Sequence, residues 1–395
     1  MIKKIIKFLE FLLNNFFIRI AGIVLSIISL FYALYIANSY GSMDFQYSPA
    51  ILFYEKINPY DYFLYSKTIE RLYPVQYPVY AHTTYILFFP FAYLDWSSAK
   101  LLWSIINTFL GVIIVLFLCQ KSKINFFDTC FILSLFFLSV PFRNCVGNGQ
   151  ITFIILASFC FLLLKSTELK SFFLGLSYIK YSFAPILSAV IYFKYGIKNF
   201  TISGLIIFIG WILFSAYLEQ NIFYTAMQPI QAGLKGFDAG LARGDLFTIL
   251  NFFKNLYIDI NIYIIIALII VFNIYIAKKI SKINDNFLLL SLVLIGTLLS
   301  FGHLMYDYIV LLPMLVYSFK NKNNLNSKIS ILIIFYFWFG IRIFEYVKML
   351  IFNISVITPS IIHVIINFIL LSMLFLINFK KGNYFNKFNL IKKIL

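Results

Sequence analysis

Apolar runs of membrane-spanning length recur from one end of this sequence to the other, with mostly short polar interruptions. That pattern leaves few folds open. Backbone N–H and C=O groups in hydrocarbon have no water to bond, so each apolar segment must satisfy its own as a helix. The chain is therefore read as all-α, a polytopic transmembrane helical bundle. Of its 395 residues 62% are hydrophobic and only 12% charged, about half the charged fraction usual in a soluble protein. No Gly/Ser- or Pro-rich linker interrupts the pattern, so residues 1–395 are taken as a single integral-membrane domain.

Helix-length reasoning places about twelve spans at residues 16–38, 79–93, 99–119, 126–141, 151–165, 172–192, 202–217, 260–277, 287–301, 308–319, 329–346 and 361–379. Residues 1–15 form a basic, amphipathic surface stretch, and the first span is expected to be a retained helix rather than a cleaved signal peptide. The formal charge of +17 gathers in short Lys clusters between spans: Lys3, Lys4 and Lys7; Lys194 and Lys198; Lys278, Lys279 and Lys282; Lys320, Lys322 and Lys328; Lys380, Lys381, Lys387, Lys392 and Lys393. This is the positive-inside pattern of cytoplasmic loops, not a nucleic-acid surface. It places the chain in the plasma (inner) membrane with both termini cytoplasmic. A polar loop after the first span and the loop 218–259 then lie outside. Lys121 and Lys123 disagree, since the count puts them outside. The same count puts Arg143 on the cytoplasmic side.

The first outer loop, up to about His82, is rich in Tyr and Pro and too polar to cross unaided. Interfacial anchoring is the ordinary explanation for its tyrosines, and a carbohydrate platform the sharper one. The loop opens with Gly41-Ser42-Met43-Asp44-Phe45-Gln46-Tyr47. A carboxylate at the end of a span, beside a sizeable outer loop, suggests an enzyme working at the membrane surface, whereas its bland alternative is a solvated helix cap. Cys119, Cys130, Cys145 and Cys160 form no CxxC pair and read as small apolar fillers. His82, His303 and His363 are isolated in sequence, and there is neither an Asp-x-Asp nor a Walker-type Gly loop. No metal and no cofactor is expected.

Several short motifs share an order along the chain. Asp44-Phe45 follows the first span, then come Asn58-Pro59-Tyr60 and Tyr77-Pro78, Asn148-Gly149-Gln150, and Gly175-Leu176-Ser177-Tyr178-Ile179-Lys180. Ser300-Phe301-Gly302-His303-Leu304-Met305-Tyr306-Asp307-Tyr308, followed by Leu311-Leu312-Pro313, completes the set. Together they resemble the GT-C glycosyltransferases, specifically family 87, whose members are similar to polyprenyl-phosphate-mannose-dependent mannosyltransferases. Each motif alone is weak, and the ordered set covers most of the chain. The family usually has Pro where this sequence has Tyr181 and Phe301, and many members have a His pair where Tyr306 and Asp307 stand. The sugar and the acceptor are therefore left open.

The resemblance implies transfer of a sugar, mannose being the family's example, from a polyprenyl-phosphate donor to a glycolipid or polysaccharide acceptor on the extracytoplasmic face. The partners would be those two lipids or glycans and the bilayer. Such a reaction needs a base for the attacking hydroxyl. Its phosphate leaving group departs without a strong acid, so one carboxylate with cations nearby suffices, unlike the pair used in glycoside hydrolysis. Asp44 takes the base role by resemblance. His303, Asp307, Lys180, Arg243, Arg342, Tyr77 and Gln150 are the candidate substrate-binding residues. Ionisable groups within or beside apolar runs, such as Lys180 and Asp307, need partners, although Lys180 has snorkelling as its alternative. Arg143 and Lys348 are further candidate phosphate clamps. Two rival functions stand beside this one. A transporter or flippase of lipid-linked sugars calls for charges along a central path, and a polysaccharide polymerase for an Arg-rich late outer loop.

Overall fold

The computed structural model describes residues 14–65, 76–238, 262–301, 303–341 and 361–379, with Lys7, Glu10, Phe11 and Ile343 besides. These residues form helices and turns, and no strand occurs among them. In chain order the α-helices are α1 (Phe16–Ser39), α2 (Tyr47–Tyr54), α3 (Pro59–Leu64), α4 (Thr83–Phe88), α5 (Trp96–Ser122), α6 (Phe126–Leu138), α7 (Val140–Gly147), α8 (Thr152–Cys160) and α9 (Thr167–Gly175). Then follow α10 (Ala184–Tyr217), α11 (Ile222–Ala226), α12 (Gln228–Asp238), α13 (Ile262–Ile280), α14 (Asn286–Ser300), α15 (Leu312–Lys320), α16 (Leu325–Phe335) and α17 (Ile361–Phe379). The starts are encoded locally. Asn15, Asn58, Asp95, Asn125, Asn221, Asp285 and Asn324 each turn a side-chain oxygen onto a free N–H of the first turn.

Among the described residues three helical stretches are long and apolar enough to cross a membrane: α1, α5 and Tyr181–Tyr217. The pair α6 and α7, bent by 59°, makes a fourth if taken as one span. Thr152–Leu163, Asn286–Ser300, Leu325–Gly340 and Ile365–Phe379 are shorter apolar helices.

Two ends are distinguished by their contacts. At one end Arg19 and Lys322 both pair with Asp128 at 2.9 Å, and Lys194 donates to the carbonyl oxygens of Ser281 and Ile283. At the other end, about 36 Å along α1 at 1.5 Å per residue, lie Asp44, the segment 147–150 and the short helices α2 to α4.

This arrangement corrects several expected spans. Residues 79–93 do not cross. Tyr80 faces Gln150, Ala81 N–H bonds the Ile179 carbonyl, Tyr47 donates to the Leu94 carbonyl at 2.6 Å, and Tyr54 packs edge-on against Tyr93, so both ends of the stretch stay at the Asp44 end. The physical reason is length. The six-residue α4 gives way at Phe89-Pro90 to a 3₁₀ turn, and fifteen residues of helix would reach only about 22 Å against a core of about 30 Å. Hence α5 starts at the Asp44 end and delivers Lys121 and Lys123 to the Arg19 end, where Asn125 bonds Asp128. The disagreement between those two lysines and the other basic loops disappears.

Arg143 also moves. α6 rises from the Arg19 end, breaks at Ser139 and continues as α7, whose Gly147 carbonyl accepts from Ser42 N–H at 2.7 Å. The helix bearing Arg143 therefore docks on the Asp44 loop rather than lying away from it. The expected span 172–192 is two strokes. α9 rises, 3₁₀ turns carry the chain over Lys180, and the first part of α10 returns beside α14, with Phe183 at His303 and Lys194 at Ile283. Gly196, at φ 84° and ψ 176°, breaks α10. Its second part runs up beside α9, where Asn199 bonds Ser171 and Ser203 bonds Tyr178.

Candidate functional site

The loop after α1 is fixed by backbone, not by side-chain size. Ser42 N–H and Asp44 N–H donate to the carbonyl oxygens of Gly147 and Asn148, at 2.7 and 2.9 Å. Two glycines permit this approach. A Cβ on Gly41 would stand 2.1 Å from the Gly147 oxygen, and one on Gly149 would stand 2.8 Å from the Phe45 Cβ, at a φ of +69° that side chains avoid. Trp103 Nε1 donates to the Gly149 carbonyl at 2.8 Å, and Asn107 Nδ2 to that of Gln150 at 2.9 Å. Phe45 lies fully buried between the rings of Trp96 and Trp103, stacked on both. The separate motifs Asp44-Phe45 and Asn148-Gly149-Gln150 are thus two halves of one structural unit.

That unit faces a second one. Lys180 Nζ donates to both carboxylate oxygens of Asp307 at 2.6 Å. His303 Nδ1 lies 2.9 Å from Asp307 Oδ2, and Thr152 Oγ1 donates to Oδ1 at 2.9 Å. Asp307 and His303 are each 1% exposed. The Lys180 ammonium sits 5.0 Å from the Tyr306 ring and 5.5 Å from that of Phe183, and Phe183 also packs on His303. With Asp307 as acceptor, the proton of a neutral His303 belongs on Nδ1, which leaves a lone pair on Nε2. That Nε2 is buried and has no hydrogen-bond partner among the described residues.

Asp44 is half-buried beside these groups. Its carboxyl is pushed up to about 6 by desolvation, which outweighs the Lys180 charge and the Gln150 side chain that favour ionisation, while Asp307 adds to the rise. Lys180 acts on it through space only, because its ion pair is with Asp307. Gln150 Nε2 is buried and short of a full hydrogen bond. The two carboxylates therefore differ in kind. Asp307 is saturated by a cation, an imidazole and a hydroxyl and is unsuited to take a proton. Asp44 has no ion pair among the described residues and titrates close to neutrality, as a general base needs.

Of the sequence candidates, Asp44, Gln150, Lys180, His303 and Asp307 converge, drawn from four separated segments. Tyr77 packs on Phe63 at 5.0 Å. Arg243, Arg342 and Lys348 lie outside the described residues. Lys180, expected deep inside an apolar run, instead stands at the junction of two 3₁₀ turns. Sequence reading missed Thr152, Trp103 and Asn107. Thr152 had a usable signal, lying two residues beyond the Asn-Gly-Gln motif at a helix start, whereas nothing local marks Trp103 and Asn107 on α5.

No family model matches this sequence, and no curated protein or solved structure does either.

Proposed function

We propose that the chain is an integral-membrane glycosyltransferase of the GT-C kind, taking a sugar from a polyprenyl-phosphate donor. The observation that carries the reading is the Asp44 carboxyl: half-buried, held near 6, free of an ion pair among the described residues, and beside a lysine locked in place by a second acid. Asp44 takes the proton of the acceptor hydroxyl as that oxygen attacks the anomeric carbon. The bond from this carbon to the phosphate oxygen breaks on the opposite face, so the configuration inverts and the carrier phosphate leaves as an anion. Lys180 is the described cation whose charge acts on Asp44, and it favours that anion. Asp307 is a positioning residue, holding the ammonium and the His303 ring. His303 Nε2 and Gln150 offer an unfilled acceptor and donor to sugar hydroxyls.

In this reading twelve passes remain, but with changed members: 79–93 drops out and 167–195 supplies two. Lys121, Lys123, Lys165, Lys194, Lys278 and Lys322 then share the cytoplasmic side with both termini, and Asp44 opens extracytoplasmically. The described charges gather at two ends instead of following a central path, which favours an enzyme over a flippase. The polymerase alternative calls for an Arg-rich late outer loop, whereas residues 218–259 hold a single arginine, Arg243.

The test is incubation of purified protein with radiolabelled polyprenyl-phosphate sugars and membrane lipids. Label should pass to a lipid or glycan acceptor and fail to do so with Asp44→Asn. An Asp44→Asn protein that transfers at the wild-type rate would end the proposal.

A further inference from the structure

The Arg19 end holds a polar cavity, of about 290 Å³, opening between the starts of α1 and α6 and the turn after α15. Its polar lining is Asn14, Arg19, Asn125, Asp128 and Lys322. Two cations share one carboxylate here, so the described lining carries net positive charge. Asp128 also accepts from Asn125 Nδ2 at 3.1 Å, so three donors already share its carboxylate. Arg19 is held rigidly, its guanidinium 5.0 Å over the Phe131 ring and its side chain 12% exposed. Lys322, at 36%, has room to turn an N–H toward the opening. Two helix N-termini, of α1 and α6, end at the same opening and add their positive poles.

The rim identifies the occupant. Phe16 and Phe127 line this opening, Phe17 and Phe126 adjoin them in sequence, and the four are 54%, 58%, 80% and 80% exposed. Rings left in the open beside a cationic pocket, at the end of long apolar helices, match an interface where acyl chains lie on aromatics and a headgroup reaches inward. Basic pockets between membrane helices on the basic side bind anionic headgroups in this way. A soluble anion would gain nothing from the four phenylalanines.

We infer that this cavity binds the phosphodiester headgroup of an anionic phospholipid, with Arg19 and Lys322 as its ligands and the four phenylalanines against its chains. The inference does not depend on the transferase reading, and its test reads binding, not activity.

The full chain, purified in neutral detergent, is irradiated with phosphatidylglycerol or phosphatidylcholine carrying the same photoreactive acyl chain, and adducts are mapped by peptide mass spectrometry. Phosphatidylglycerol should label the peptides holding residues 14–19 and 125–128 at least about fivefold more than phosphatidylcholine, the worth of one Lys or Arg facing an anionic surface. Lys322→Gln should lower that labelling by a similar factor and Lys322→Arg should keep it. Equal labelling by the two lipids, or labelling unchanged in both Lys322→Gln and Arg19→Gln, would overturn the inference. Displacement by millimolar inorganic phosphate would assign the cavity to a free anion and overturn it too. If neither charge-removing variant folds, the comparison of the two lipids on the native chain decides.

Discussion

Replacing Asp44 by Asn should make the protein more stable while abolishing transfer, and the gain should depend on pH in a defined way. The structure holds the Asp44 carboxyl at about 6, against an ordinary value of 3.8. At about 1.36 kcal/mol for each pH unit between those values, the ionised group costs up to about 3 kcal/mol of fold stability. The sign follows from proton binding. Between 3.8 and about 6 the folded state holds the proton and the unfolded state has released it, so stability falls as pH rises through this window and the cost is complete above it. Asn is isosteric and uncharged and does not bear that cost. Unfolding midpoints of the two detergent-purified proteins should coincide below about pH 4, diverge between about 4 and 6, and differ by a constant amount above, with the Asn protein higher by on the order of 5 °C. Effects of pH on every other group cancel in the difference. An Asn variant less stable than wild type at pH 8, or a difference independent of pH, would refute the argument that desolvation sets the state of Asp44.

Other expectations follow from the same geometry. Transfer rate should rise about tenfold per pH unit up to about 6 and flatten above, since only the ionised Asp44 accepts a proton. A rate that falls over that range would exclude Asp44 as base. Lys180→Met should destabilise by about 3–5 kcal/mol by stranding the buried Asp307. The double variant Lys180→Met/Asp307→Asn should lose clearly less than the sum of its singles, and additivity in denaturant unfolding would mean that the pair is not coupled. Gly149→Ala should cost about 1–3 kcal/mol, because the position has φ +69° and its new Cβ meets Phe45 at 2.8 Å. It should also reduce transfer by loosening the Asp44 loop, which a thermal scan and a rate measurement together would read.

The site was legible in its parts but not in its assembly. Asp44, Lys180, His303 and Asp307 stand out in sequence because ionisable groups at the margins of apolar runs need a reason to be there. That Lys180 belongs to Asp307 was not legible, since 127 residues separate them and neither has a local pattern naming the other. Thr152 lies beside a motif, but nothing local ties its hydroxyl to Asp307, 155 residues further on.

What the sequence determined by itself is the helical class and the helix starts. Hydropathy and side-chain caps are local and act within a few residues. Tertiary structure alone decided that residues 79–93 turn back and that residues 167–195 double over Lys180. It also decided that α7 bends onto the Asp44 loop. Those choices rest on contacts between distant segments: a carbonyl at Gly147 waiting for Ser42, glycines that let two backbones touch, and an acid that fixes where a lysine ends. Two stretches equally apolar along the chain can part ways for such reasons, one crossing and the other folding back.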